Sequence, residues 1–424
     1  MTALAVTAAL VFVYSLLEPR VRQSPLSGPL LFLLAGLAMS PEALGWFTLE
    51  LDGDVIDILL KATLVILLFT EGSKLRARRI GLEARFPARL LVAAMPLVMA
   101  GGLGLGLWLL GGLGFWEAAT LSAILAPTDA ALSLPVVTNK RVPGVIRRSL
   151  EVEAGLNDGL SVPFAFGFAA AAAVAQKSME RSTFLEFLFD QIVLGSVVGI
   201  AVGWVGAKLI NAIPDDEEAL SRWGEIAFLA LAGVSFASAE AIDGNGFIAA
   251  WVAGLTFARI ITPGLPLDRF ADRVGALLTL ASFLVFGALL LPSGLESLDM
   301  ATVAFVLVTL FVIRPVAVAL SMIGTGLRAP SVAFLGWFGP RGLASVILIS
   351  LVAKEYELLG IEEMGDVVIV TIAASAVLHG LTAAVGSNAY ASWYERSRPE
   401  ALTRYEPSSQ GDLHEANPEE QGST

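Results

Sequence analysis

"LSAILAPTDAALSLPVV", residues 121–137, is an apolar run with an acid, Asp129, at its middle and prolines at 127 and 135. A proline has no N–H and frees a carbonyl one turn upstream. In lipid, every freed backbone group must find a partner inside the protein. The run is therefore expected to be a membrane helix interrupted at its middle. A second run breaks in the same way: "FLGWFGPRGLASVILIS", residues 334–350, has Gly339-Pro340-Arg341-Gly342 near its centre. Broken segments in corresponding positions of two chain halves point to a transport site.

The rest of the chain fits a membrane setting. Of 424 residues, 56% are hydrophobic and only 16% charged, and the mean hydropathy is +0.75. The expected class is an all-α polytopic membrane protein. About 13 apolar spans of roughly 14–27 residues are legible, at 3–17, 26–39, 55–69, 90–110, 118–137, 150–174, 184–210, 226–239, 247–261, 275–291, 301–323, 332–352 and 367–385. Spans one to six (3–174) and eight to thirteen (226–390) read as two six-span halves joined by the span at 184–210. An offset of seven puts the halves in opposite orientations, as in inverted-repeat transporters. The broken fifth and twelfth spans then correspond.

Loop charges set the orientation. With the N-terminus outside, the segments "KLRARRIGLEARFPAR" (74–89) and "KRVPGVIRR" (140–148) fall in cytoplasmic loops, as the positive-inside rule expects. Lys177, Arg181 and Lys354 fall outside, and the C-terminus is cytoplasmic. The start, "MTALAVTAALVFVYSLLEPR", lacks the basic region of a cleaved signal and is expected to stay as the first span. Residues 1–398 form the membrane domain. The acidic tail, 399–424, is expected to be disordered.

Composition also excludes classes. Without cysteine there is no disulfide or thiolate chemistry, and two histidines, His379 and His414, cannot build a histidine-rich metal site. A net charge of -12 is no nucleic-acid footprint.

Charges inside spans are costly and mark function by default. Asp129, Asp158 in "EVEAGLNDGL" (151–160) and Arg341 each lie roughly 15–18 Å along their spans, near the middle of a core about 30 Å thick. A lone buried acid can be a helix-packing residue. Three charges converging on two broken helices are better read as a site. Lys61, Arg314 and Asp190 are read as structural pairings or subunit contacts, Arg314 also marking a kink before Pro315. His379 is read as a satisfied helix contact. The glycine run "GGLGLGLWLLGGLG" (101–114) is read as close helix packing, not a nucleotide loop. "DGNG" (243–246) lacks the remaining ligands of a calcium loop and is read as a turn.

Taken in membrane order, "FTEG", "APTD", "EAGLNDG" and "GPRG" resemble the cation/proton antiporter superfamily, in particular its electroneutral sodium/proton exchanger branch. The resemblance covers the membrane part to Val385. It implies a homodimer with a dimer domain and a mobile core domain, in which the fifth and twelfth helices cross at their unwound middles beside the ion site. Residue by residue, it implies that Asp158 binds the ion and the proton and that Asn157 is its partner. Thr128, through its main-chain carbonyl, and Asp129 contribute at the broken helix, Asp158 and Asp129 being the sodium ligands. Glu71 is an acid near the ion path. Glu153 and Arg341 form a structural ion pair. Ala154 departs from the pattern: a serine is common there, so one hydroxyl ligand is missing and potassium stays open as a substrate. No cofactor is implied beyond the transported sodium and proton.

The expected activity is secondary active sodium/proton antiport in a prokaryotic plasma membrane, not enzymatic catalysis. Cation and proton compete for one carboxylate, and alternating access turns competition into exchange. Asn157 cannot titrate, so one sodium should exchange for one proton with no net charge moved. Rivals are potassium/proton antiport on the same fold, a cation channel, and an intramembrane aspartyl protease. The last lacks its "GxGD" context.

Overall fold

In a computed structural model, residues 2–21, 26–46, 53–74, 85–177, 189–213, 217–262 and 267–397 are described. The tail at 399–424, most of the basic segment 74–89, Arg22, Arg181 and the start of the span at 184–210 lie outside them. The described elements are helices: α1 (Thr2–Val21), α2 (Gly28–Met39), α3 (Gly53–Lys74), α4 (Arg85–Leu109), α5 (Phe115–Leu125), α6 (Ala130–Val137), α7 (Gly144–Ala175), α8 (Asp190–Asn211), α9 (Glu217–Glu240), α10 (Gly246–Ile260), α11 (Asp268–Glu296), α12 (Met300–Ser321), α13 (Ala329–Trp337), α14 (Leu343–Glu355) and α15 (Ile361–Arg396). Among the described residues, seven continuous or once-interrupted stretches are long and apolar enough to cross a membrane: α4, α5 with α6, α7, α8, α11, α12 and α15. Shorter apolar helices at Ala5–Glu18, Gly28–Met39 and Gly246–Ile260 accompany them.

Local chemistry starts the helices where the sequence allows. Ser27 caps α2 by accepting from Leu30 N–H (3.3 Å), and Asn245 caps α10 by accepting from Phe247 and Ile248 N–H (both 3.0 Å). Asp299 caps α12 by accepting from Thr302 N–H (2.7 Å). Asn245 and the left-handed Asp243 (φ 60°) make "DGNG" a helix-starting turn, as read from sequence.

In lipid, helices associate by close packing more than by the hydrophobic effect, so small residues mark the contacts. The glycine run on α4 behaves this way: Gly102 faces Ser122 and Gly106 faces Ala118, both on α5. Two other contacts are reciprocal. On α2 and α11, a Cβ at Gly36 would strike the Leu284 carbonyl, and one at Gly287 would strike the Leu33 carbonyl. On α3 and α10, a Cβ at Gly72 would press on the Trp251 carbonyl, and one at Gly254 would strike that of Phe69. Phe32, Phe69, Phe228, Phe283, Phe286 and Phe305 fill the buried space between helices. Phe12, Leu16, Trp108, Val197, Trp204 and Val385 point outward, which suits lipid contact.

π-helical turns occur in α8 (Asp190–Leu194) and in α11 (Phe286–Leu290, before Leu291-Pro292), and α4 and α12 repeat the pattern seen in α11. Each contains a π-helical turn, Leu90–Ala94 and Thr309–Ile313, followed by Met95-Pro96 and Arg314-Pro315 respectively. The wider turn accommodates a proline that cannot donate to the carbonyl four residues earlier. The two helices contact each other at these turns.

Candidate functional site

Both interrupted helices break where the prolines and glycines predict. α5 ends at Leu125, the chain runs without helical bonding from Pro127, and α6 starts with Asp129 as its cap. α13 ends at Trp337, and α14 starts after Gly342. The breaks meet. Asp129 N–H donates to the Pro340 carbonyl (2.7 Å). Ser345 Oγ donates to the Ile124 carbonyl (2.6 Å). Arg341 Nη1 donates to the Ala126 carbonyl and to that of Pro127 (3.0 Å). Carbonyls freed at the end of α5 are thus satisfied by the other broken helix. A cation at that end also complements the helix dipole.

The Asp129 carboxylate does the converse for two helix starts. It accepts from Leu132 N–H (2.8 Å) at the start of α6 and faces the Leu343 N–H at the start of α14. Gly342 makes this possible, because a Cβ there would occupy the space of the carboxylate. Gly339 likewise leaves room for the guanidinium of Arg314. Each glycine of "GPRG" is a seat for a charged side chain from a neighbouring helix.

α7 runs alongside the crossing. Asn157 Nδ2 donates to Thr128 Oγ1 (2.7 Å), and both side chains are buried. Asn157 Oδ1 is buried with no donor among the described residues, which leaves a neutral oxygen ligand free. Asp158 follows, with Glu71 of α3 and Asp129 as its electrostatic neighbours. Glu71 reaches α7 at Gly155. The expected residues Asp158, Asp129, Asn157, Thr128 and Glu71 therefore meet in one region, where α3, α6 and α7 converge. Thr128 engages through its hydroxyl as well as its place in the break. The donor set is oxygen only, which suits a hard cation.

The expected pairing of Glu153 with Arg341 is not what forms. Glu153 binds Arg314 in a bidentate pair, Oε1 to Nη1 at 2.8 Å and Oε2 to Nη2 at 3.1 Å, with both side chains almost wholly buried. The physical reason is competition. Arg341 sits at the break itself, where bare carbonyls take its guanidinium. Arg314 sits one helix away, just past the π turn of α12, and is free to take the carboxylate. Sequence did flag Arg314 as a structural pairing, and its costly position was the usable signal.

Ser375 and Glu117 were not singled out from sequence. Ser375 Oγ accepts from Arg341 N–H (2.6 Å) and contacts His379 Nδ1 (3.1 Å), while His379 Nε2 lies 3.0 Å from the Trp337 carbonyl. His379 is a satisfied contact that braces the end of α13. At one end of α5, Glu117 accepts from Gly114 N–H (2.8 Å), Gly360 N–H (2.7 Å) and Gln176 Nε2 (2.7 Å). Three donors explain how this carboxylate stays buried.

Comparison with known proteins gives the family and the fold. The family described as "Sodium/hydrogen exchanger, transmembrane" matches residues 6–385. The chain is 29% identical over 328 residues to the K(+)/H(+) antiporter NhaP of Alkalimonas amylolytica, covering 75% of this chain and 55% of that protein. It is 25% identical over 334 residues to the Na(+)/H(+) antiporter 2 of Zygosaccharomyces rouxii, covering 73% of this chain and 41% of that protein. The chain thus spans about half the length of the curated relatives it matches. In fold it is similar to the sodium proton antiporter MjNhaP1 of Methanocaldococcus jannaschii at pH 8, with a TM-score of 0.69 and 20% identity over 93% of this chain and 97% of that one.

Proposed function

Since the chain belongs to the sodium/hydrogen exchanger family, we propose that it is a secondary active cation/proton antiporter that exchanges one sodium for one proton. Asp158 carries the ion or the proton, never both. Asp129, Asn157, Thr128 and Glu71 complete the site. The observation that carries this reading is the buried Asn157–Thr128 bond beside Asp158 at the crossing of two broken helices. It ties the ion-bearing helix to the break and leaves Asn157 Oδ1 available. Because Asn157 cannot titrate, one carboxylate exchanges its guest without moving net charge.

The paired features support an inverted-repeat reading. The reciprocal glycine crossings of α2 with α11 and α3 with α10 and the two breaks fall on corresponding spans of the proposed halves 3–174 and 226–390, as do the π turns of α4 and α12, whereas the π turn of α11 has no counterpart in α3. In this reading the span at 184–210 is the linker, the protein is a homodimer in the plasma membrane, the N-terminus is outside and the C-terminus cytoplasmic.

A second reading, potassium/proton antiport, is favoured by Ala154, which supplies no hydroxyl, and by the likeness to a K(+)/H(+) antiporter. Proton efflux from proteoliposomes against sodium, lithium and potassium separates the two. A valinomycin clamp tests stoichiometry. Turnover that changes with imposed voltage would rule out the electroneutral reading.

A further inference from the structure

α3 and α10 cross at Gly72 and Gly254, and from that crossing each sends one side chain to α7. From α3 it is Glu71, whose carboxylate lies over Gly155, where a Cβ would sit 3.2 Å from Oε2. From α10 it is Trp251, whose indole lies over Gly159, where a Cβ would collide with the ring. Gly155 and Gly159 are one helical turn apart and bracket Asp158 in sequence. The two glycines form a notch beside the carboxylate, filled by an acid and an aromatic ring from the opposite helices.

The indole N–H in this notch is buried and has no acceptor among the described residues. A buried donor left unpaired is costly. Membrane proteins usually keep tryptophan at the interface, where the N–H stays wet. A phenylalanine would give a similar apolar ring without that cost, so filling space does not account for an indole here. The acid adjacent in chain to the ring's seat is Asp158.

We propose that Trp251 is a positioning residue of the exchange site. During the cycle its indole N–H donates to the Asp158 carboxylate, which fixes how that carboxylate meets the cation, and its ring walls the α10 side of the notch. The glycine edge of α7 lets the helix slide past the ring without interlocking side chains. This assignment rests on the antiport reading above.

The test uses the full chain in proteoliposomes. Proton efflux is titrated against sodium and potassium for the wild type, Trp251→Phe and Trp251→Ala, with Asp158→Asn as the blank. Trp251→Phe keeps a ring and loses the donor. It is expected to raise the apparent KM for the driving cation about tenfold, the worth of one hydrogen bond to a charged group, with the maximal rate little changed. Trp251→Ala should also narrow the discrimination between sodium and potassium, because the notch opens. Cation-dependent thermal stabilisation in detergent should rank the variants in the same order without turnover. A Phe variant with wild-type KM and wild-type cation-dependent melting overturns the assignment, as does a lower maximal rate at unchanged KM, the mark of a packing role. If the wild type neither moves protons nor melts higher with any cation, the antiport reading fails and the assignment falls with it.

Discussion

Arg314 and Arg341 are the same residue type at similar expense, yet they hold different things. Arg314 neutralises a carboxylate, and Arg341 stitches a broken backbone. This difference predicts different mutant behaviour. Arg314→Leu leaves Glu153 buried without its partner, and breaking a buried pair from one side costs about 3–5 kcal/mol. The joint change Glu153→Leu with Arg314→Leu should recover much of that loss, because an apolar pair needs no desolvation. Melting temperatures in detergent for the two single mutants and the double mutant measure both statements. Asp158→Asn, by contrast, should leave melting and elution unchanged and reduce exchange to background, since in the proposed antiport Asp158 bears the exchanged guest and its carboxylate makes no hydrogen bond or ion pair among the described residues that holds the fold. Sequence revealed which charges were out of place, because burial cost can be read from a hydropathy run. It did not reveal which arginine meets Glu153, because that depends on where freed carbonyls end up in space.

At the scale of elements, the central device is a pair of broken helices that cap each other. Ser345→Ala removes one stitch to Ile124 and should cost about 1 kcal/mol, seen as a small drop in melting temperature with transport retained. The end of α12 outside the apolar run offers a pH test. Hydrogen bonding to Thr302 holds the Asp299 carboxyl below its ordinary value. A lowered folded-state value means that the cap's contribution is present above the unfolded value of about 4. It is lost as pH falls through the folded value. Asp299→Asn, which caps without titrating, should flatten the acid limb of a melting-versus-pH curve between about pH 5 and 2 relative to the wild type. The breaks and most apolar spans were legible because Pro and Gly punctuate locally and because lipid demands long apolar runs. The π turns of α4 and α12 were not, since a widened turn leaves no residue-type signature apart from the proline after it. Trp251 was missed for the same kind of reason: a tryptophan in an apolar run looks like packing until its N–H is found dry.

Across the whole molecule, the interrupted helix formed by α5 and α6 is tied to α15 at both of its ends. Glu117 joins the start of α5, the end of α7 and Gly360 before α15. At the opposite end, Arg141 pairs with Glu395 at 3.0 Å, and Asn139 reaches Ser387 and Asn388. In an alternating-access reading, these ties make α5, α6, α7 and α15 travel as one body. Glu117→Ala should therefore cut maximal rate and melting temperature together, by leaving the buried Gly360 N–H unpaired at about 1–3 kcal/mol and releasing two partly exposed donors, with the cation KM preserved. The mutual capping also bears on how the chain is made. Arg341 is 215 residues downstream of the carbonyl it satisfies, so the first half leaves the ribosome with its interrupted helix incomplete. Until the later half is inserted, that segment must wait in a wet or protein-lined place such as the translocation channel. A nascent chain stopped short of Arg341 should remain bound there and be cleared by quality-control proteases, whereas one extended through α14 should be released into the bilayer.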